Sequence, residues 1–213
     1  MLQTPEGFGC VEPEIYRATR VEASNFLFLS TLNLNMIVFM NPETPSKALQ
    51  ELASANQIQL VHTGLQPWMS VDDWKLTSKG ILQDTLKYIL DDRNSPILIL
   101  DTFNFFVGVL RKVQCWSYSS IISEYKMYAG AAAHYKTETF LEILKVRCIE
   151  HEAVDTRHHD SDPLITLSGQ DHENPTSRTI PGQLVTLVLP PWSHLPEWFQ
   201  YQWRLVHSKK LPQ

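Results

Sequence analysis

The chain has 213 residues, enough for one domain of ordinary size with a tail. Hydrophobic residues make up 43% and charged residues 19%, the balance of a globular chain with a real core, and a net charge of −5 leaves no basic footprint for nucleic acid. No apolar run reaches the roughly 18 residues a membrane span needs.

The first residues, Met1-Leu2-Gln3-Thr4-Pro5-Glu6, lack the basic and apolar regions of a signal peptide. Cys10, Cys115 and Cys148 are too few and too scattered for a disulfide framework or a zinc site. A reducing cytoplasmic setting is therefore expected, with no metal and no cofactor.

In chain order, Ser24-Asn25 can cap a short helix through Phe28 and Leu29, and Met36 to Met40 reads as a buried strand. Thr44 is positioned as a cap, with Pro45 suited to the first helical position before Ala48, Leu49, Leu52 and Ala53. Ile58 to Val61 reads as the next strand. A loop with Gly64, Pro67 and Trp68 leads to a helix through Ile81, Leu82, Leu86, Ile89 and Leu90. Pro96 then opens a strand over Ile97 to Leu100. Such alternation predicts an α/β fold: a small parallel sheet of about four strands flanked by helices.

After Gly108 the pattern is wholly helical, with Ser117 capping Ile121, Ile122, Tyr125 and Tyr128, and Thr137 capping Phe140, Leu141 and Leu144. The segment from about residue 151 to 183 is polar and carries no apolar period, as in a disordered linker. Residues 184–213 regain apolar character as an aromatic-rich element. Trp192, Trp198, Tyr201 and Trp203 are costly to leave in water, so they pack on the domain or on a partner.

Several stretches resemble the plant and fungal atypical dual-specificity phosphatases, a family that includes the yeast oxidant-induced cell-cycle-arrest proteins. Gly7-Phe8-Gly9-Cys10-Val11 with Ile15-Tyr16-Arg17 is similar to the N-terminal signature. Asn25-Phe26 to Leu29 with Thr31-Leu32-Asn33-Leu34 is similar to the first helix and turn. Tyr88 to Asn94 with Pro96 matches the entry to the catalytic strand. Leu110 to Ser117 and Ser120 to Tyr125 match the two helices behind the catalytic loop. The resemblance covers residues 5 to 147 and is specific as a set. It implies a phosphatase-like domain over residues 1–150.

Active members of that family place His-Cys, five further residues and Arg-Thr-Gly between strand and helix. The cysteine attacks phosphorus as a thiolate, the loop amides cradle phosphate oxygens, and the arginine clamps them. Here the His and Cys positions are Leu100 and Asp101, followed by Thr102. Only eight residues, Thr102 to Val109, separate Asp101 from Leu110. The junction is five residues shorter than the resemblance implies and holds neither nucleophile nor arginine. Phe103, Phe105 and Phe106 are expected to fill the space.

Among other candidates, Asp101 reads best as a helix cap, because no second aspartate stands two residues on and no phosphate-binding Gly-rich loop exists. Asp72 and Asp73 read as solvated loop carboxylates. Arg17 reads as an anion contact or, more simply, a structural ion pair. The cluster His158, His159, Asp160 and Asp162 lacks ligand spacing, as does Cys148 with His151. Arg111 and Lys112 read as a solvated helix face. The expectation is a catalytically inactive phosphatase-like protein, regulatory or scaffolding, in a cytoplasmic hetero-oligomer with related phosphatase-like proteins. The alternative is a protein or inositol-pyrophosphate phosphatase with a rearranged site, or an anion-sensing binding module.

Overall fold

A computed structural model describes residues 2–64, 79–150 and 184–208. Strands β1 (Gly9–Glu12), β2 (Ile15–Ala18), β3 (Met36–Phe39), β4 (Gln59–His62) and β5 (Ile97–Leu100) form one sheet in the order β1-β2-β5-β3-β4. Strands β2, β5, β3 and β4 run parallel, and β1 is antiparallel to β2. Four parallel strands form the expected small parallel sheet, and β1 extends it into a mixed sheet of five. The hairpin of β1 and β2 carries the extra strand, and its two short runs give little alternation to read.

Strand β5 lies at the centre, with Leu100 beside Ala18 on one side and Phe39 on the other. All four of its residues are buried, as a parallel strand covered on both faces requires. Successive side chains point to opposite faces. Accordingly Ile97 and Ile99 enter the larger core cluster, while Leu98 and Leu100 enter a smaller one with Leu29, Leu34, Ile37 and Leu49.

The smaller face is covered by α1 (Phe26–Leu29) and α2 (Lys47–Ala55). Helix α2 begins two residues later than Thr44 and Pro45 suggest, because Ser46 is the cap: its hydroxyl accepts the Leu49 N–H at 3.3 Å. On the other face lie α3 (Lys79–Ile89), α4 (Phe106–Val113), α5 (Tyr118–Ala129) and α6 (Tyr135–Ile143). Ser117 caps α5 as expected, accepting from Ser120 N–H. The cap of α6 is His134, not Thr137, which is buried within the helix; the His134 ring accepts the Lys136 N–H at 3.1 Å.

The part after Gly108 is not wholly helical. Strand β6 (Lys145–Ile149) pairs in parallel with β7 (Leu184–Val188), which also packs on α3. Helix α7 (Glu197–Ser208) follows, with Phe199 1% exposed in the larger core. Gly108 sits where α4 crosses its neighbours: a Cβ there would lie 2.8 Å from Leu141 Cδ1, too close for any other residue without a shift. The expected linker at 151–183, with His151, His158, His159, Asp160 and Asp162, lies outside the described residues, as do Pro67, Trp68, Asp72 and Asp73.

Candidate functional site

Ligands of open α/β sheets bind beyond the carboxyl ends of the strands. At that end the chain leaves β5 and reaches α4 within five residues, 101–105. Both sides of the junction are clamped: Asp101 N–H donates to the Ala18 carbonyl at 3.1 Å, and Met40 N–H donates to the Leu100 carbonyl at 2.9 Å. Asp101 is 4% exposed, and its two carboxylate oxygens accept the Phe103 N–H at 2.9 Å and the Phe106 N–H at 2.8 Å. The N-cap position of α4 is Phe105, so the Asp101 carboxylate acts from further back: one oxygen closes the turn on the Phe103 N–H and the other holds the first helical N–H, that of Phe106.

Asn104 completes the turn at φ 55°, a left-handed conformation that asparagine tolerates well. Its side chain exchanges hydrogen bonds with the Thr19 hydroxyl at 3.2 Å and accepts from Arg17 Nη2 at 3.1 Å. Thr102 is exposed, with its N–H donating to Asn41 Oδ1 at 2.9 Å. Leu100 is a core side chain. Phe105 and Phe106 are buried as expected. Phe103 is 38% exposed, because the capping turn aims it away from the core that its two neighbours enter.

Arg17 is 3% exposed. Its guanidinium lies 3.8 Å over the Tyr128 ring, its Nη1 is 3.8 Å from Glu124 Oε1, and its buried Nε has no hydrogen-bond partner among the described residues. Burial draws its pKa below the usual arginine value, against the supporting charges of Asp101 and Glu124. Burial likewise holds the Asp101 carboxyl above its ordinary range, although the Phe106 and Phe103 amides and the charge of Arg17 pull it down.

Arg111 does not belong to a solvated face. It is 4% exposed, and it donates to both oxygens of Glu124, to Glu12, to Gln114 and to the Val11 carbonyl, with Trp116 stacked on its guanidinium at 4.2 Å. Burial opposes the charge, but Glu124 and Glu12 outweigh it and raise the pKa. Lys112 is half-buried, its ammonium 3.4 Å from the Glu142 carbonyl. Glu12, Asn104 and Glu124 were not singled out from the sequence, and Tyr128 stood out only as part of the apolar stripe of α5. Asparagine in a short strand-to-helix turn is a readable signal for Asn104; the other three join through long-range packing.

The aromatic residues of the C-terminal element divide. Trp198 and Trp203 pack against the larger core, whereas Tyr201 is 65% exposed and Trp192 is 38% exposed, with Arg204 placed 5.5 Å from the Trp192 ring. Among the described residues there is no group of three or more potential metal ligands, and no helix is long and apolar enough to cross a membrane.

The model of the tyrosine phosphatase family matches residues 2–161. Protein OCA4 of Saccharomyces cerevisiae is 30% identical over 209 residues, covering 71% of this chain, while the chain spans 58% of OCA4. Inositol diphosphatase DSP5 of Arabidopsis thaliana is 38% identical over 148 residues, covering 67% of this chain and 71% of that protein. The Siw14 catalytic core superposes with a TM-score of 0.59 at 28% identity, covering 67% of this chain and 86% of that one. Siw14 of S. cerevisiae is described as a PP-IP phosphatase, its core also solved with citrate.

These relatives overturn the expectation of a catalytically inactive regulatory or scaffolding subunit. That expectation rested on one missing loop, whereas similarity to proteins named for inositol-diphosphate hydrolysis spans two thirds of the chain. An aspartate at the end of β5 excludes a thiolate at that position; it does not exclude hydrolysis.

Proposed function

The chain belongs to the tyrosine phosphatase family, and on that premise we propose that it is an inositol-pyrophosphate phosphatase with a rearranged site. Similarity to relatives named inositol diphosphatase and PP-IP phosphatase carries this reading. Support from the fold is positional: Arg17, Asn104 and the α4 amides gather at the carboxyl end of the central strand, where phosphate is met in sheets of this kind.

The chemistry differs from thiolate attack. With Asp101 at the end of β5, water is the simplest nucleophile: its oxygen bonds to the terminal phosphorus, the bridging P–O bond breaks, and orthophosphate leaves with the shortened inositol phosphate. Buried Arg17 would offset charge building on the phosphoryl oxygens. Incubating the purified chain with an inositol pyrophosphate should release orthophosphate above a buffer blank. Release at the level of the blank overturns the reading.

One observation favours a second reading, that of an anion-binding module: Arg17 Nε, without an acceptor among the described residues, asks for one whether or not a bond is cleaved. Saturable binding of the same compound without turnover would select it.

A further inference from the structure

Helix α7 turns Trp198, Phe199 and Trp203 towards the larger core, which leaves Glu197, Tyr201, Arg204 and Leu205 exposed on its outer face. The outer face of a solvated helix is ordinarily polar. This one carries Tyr201 and Leu205 one turn apart, and Trp192 lies alongside it. Gln200 Nε2 donates to the Trp192 carbonyl at 3.2 Å, and the Arg204 guanidinium stands 5.5 Å from the Trp192 ring. Exposed Trp and Tyr rings gathered around an arginine have the composition of an interface centre.

The charges on this face decide what fits it. Glu197 and Arg204 stand one heptad apart, roughly two turns along the axis, on either side of Tyr201. Neither has an ion-pair partner among the described residues. Laid antiparallel on itself, the face meets its own complement: Glu197 of each copy comes opposite Arg204 of the other, with the two Tyr201 rings near the centre. Laid parallel, each charge meets its like. A patch of this kind is self-complementary about a two-fold axis.

We propose that the outer face of α7, with Trp192, is a homodimer interface on which a second copy of this chain packs its own α7 antiparallel across a two-fold axis. The contact rests on one twelve-residue helix, about 18 Å long. Such a patch lies at the lower end of the range for specific association, so the dimer forms at micromolar concentration. The inference goes beyond the hydrolysis reading and does not depend on turnover.

Sedimentation velocity of the full chain, from about 1 to about 200 μM, tests the proposal. The parent should pass from monomer to dimer across that range. Arg204→Glu and Glu197→Arg should each weaken self-association about tenfold or more, because both ion pairs across the axis turn repulsive at once. Mixed in equal amounts, the two single variants should dimerise as well as the parent, since every pair across the axis is then opposite in sign. The double variant Glu197→Arg/Arg204→Glu should dimerise alone for the same reason. Both positions are exposed, so all variants should keep the parental circular dichroism spectrum and melting temperature. A parent that stays monomeric at the top of the range overturns the proposal, whether the face is then covered by another part of this chain or by a different protein. Single variants that dimerise like the parent overturn it too, and so does a mixture that stays monomeric.

Discussion

Glu124 and Arg111 are joined by two parallel hydrogen bonds, Nε to Oε2 at 2.8 Å and Nη2 to Oε1 at 3.1 Å. The same Oε1 lies 3.8 Å from Arg17 Nη1, so one carboxylate on α5 faces both buried guanidinium groups. Removing it leaves two cations with reduced compensation in a poorly hydrated place. Glu124→Ala should cost about 3–5 kcal/mol in urea unfolding. Glu51→Ala, which breaks the solvent-exposed Lys47–Glu51 pair, should cost under about 1 kcal/mol. Equal costs would show that the buried network contributes nothing special.

Adjacent aromatics in the junction should separate sharply. Phe106 is fully buried in the larger core, and Phe103 is 38% exposed. Phe106→Ala should cost about 3–5 kcal/mol, and Phe103→Ala within about 0.5 kcal/mol of nothing. A large loss at Phe103 with none at Phe106 would place the turn the other way round.

Asp101 makes a prediction about pH. Unfolded, the group titrates near the ordinary aspartate value, about 3.9; folded, burial holds it higher. The folded state then keeps its proton more tightly, which favours folding below the unfolded pKa. That contribution is lost as pH rises through the folded pKa. Stability of the parent relative to Asp101→Asn should therefore fall as pH rises above about 4 and then level off. A relative stability that rises over that range would show a carboxyl depressed by its amides instead.

The central strand was legible because four consecutive apolar residues between Pro96 and a polar turn leave few alternatives. Asp101 as a partner of the helix start was legible for the same local reason, although the N-cap position itself falls to Phe105. Arg111 was not: beside Lys112 it looks like a polar helix face, and its partner Glu12 is 99 positions away. Strand β6 escaped notice because its parallel partner β7 begins at Leu184, far along the chain. Chemistry is less local: the shortened loop bears on one position, whereas similarity over residues 2–161 bears on the whole domain.

The three thiols should differ in reactivity. Burial, with Cys115 nearby, pushes the Cys148 thiol up to about 12, whereas Cys10 and Cys115 are exposed. Thiolates, not thiols, alkylate. Iodoacetamide at pH 8 should modify Cys10 and Cys115 in the folded chain, and Cys148 only after denaturation, as read by mass spectrometry. Early modification of Cys148 would contradict its placement on β6.

Most direct of all is orthophosphate release from an inositol pyrophosphate by the parent and by a variant with Cys10, Cys115 and Cys148 all changed to alanine. Hydrolysis in a rearranged site predicts sustained release by both, at rates within a few-fold of each other, because no thiolate stands at the end of β5. Release at the blank level by the folded parent would contradict the account, and so would release that disappears with the cysteines.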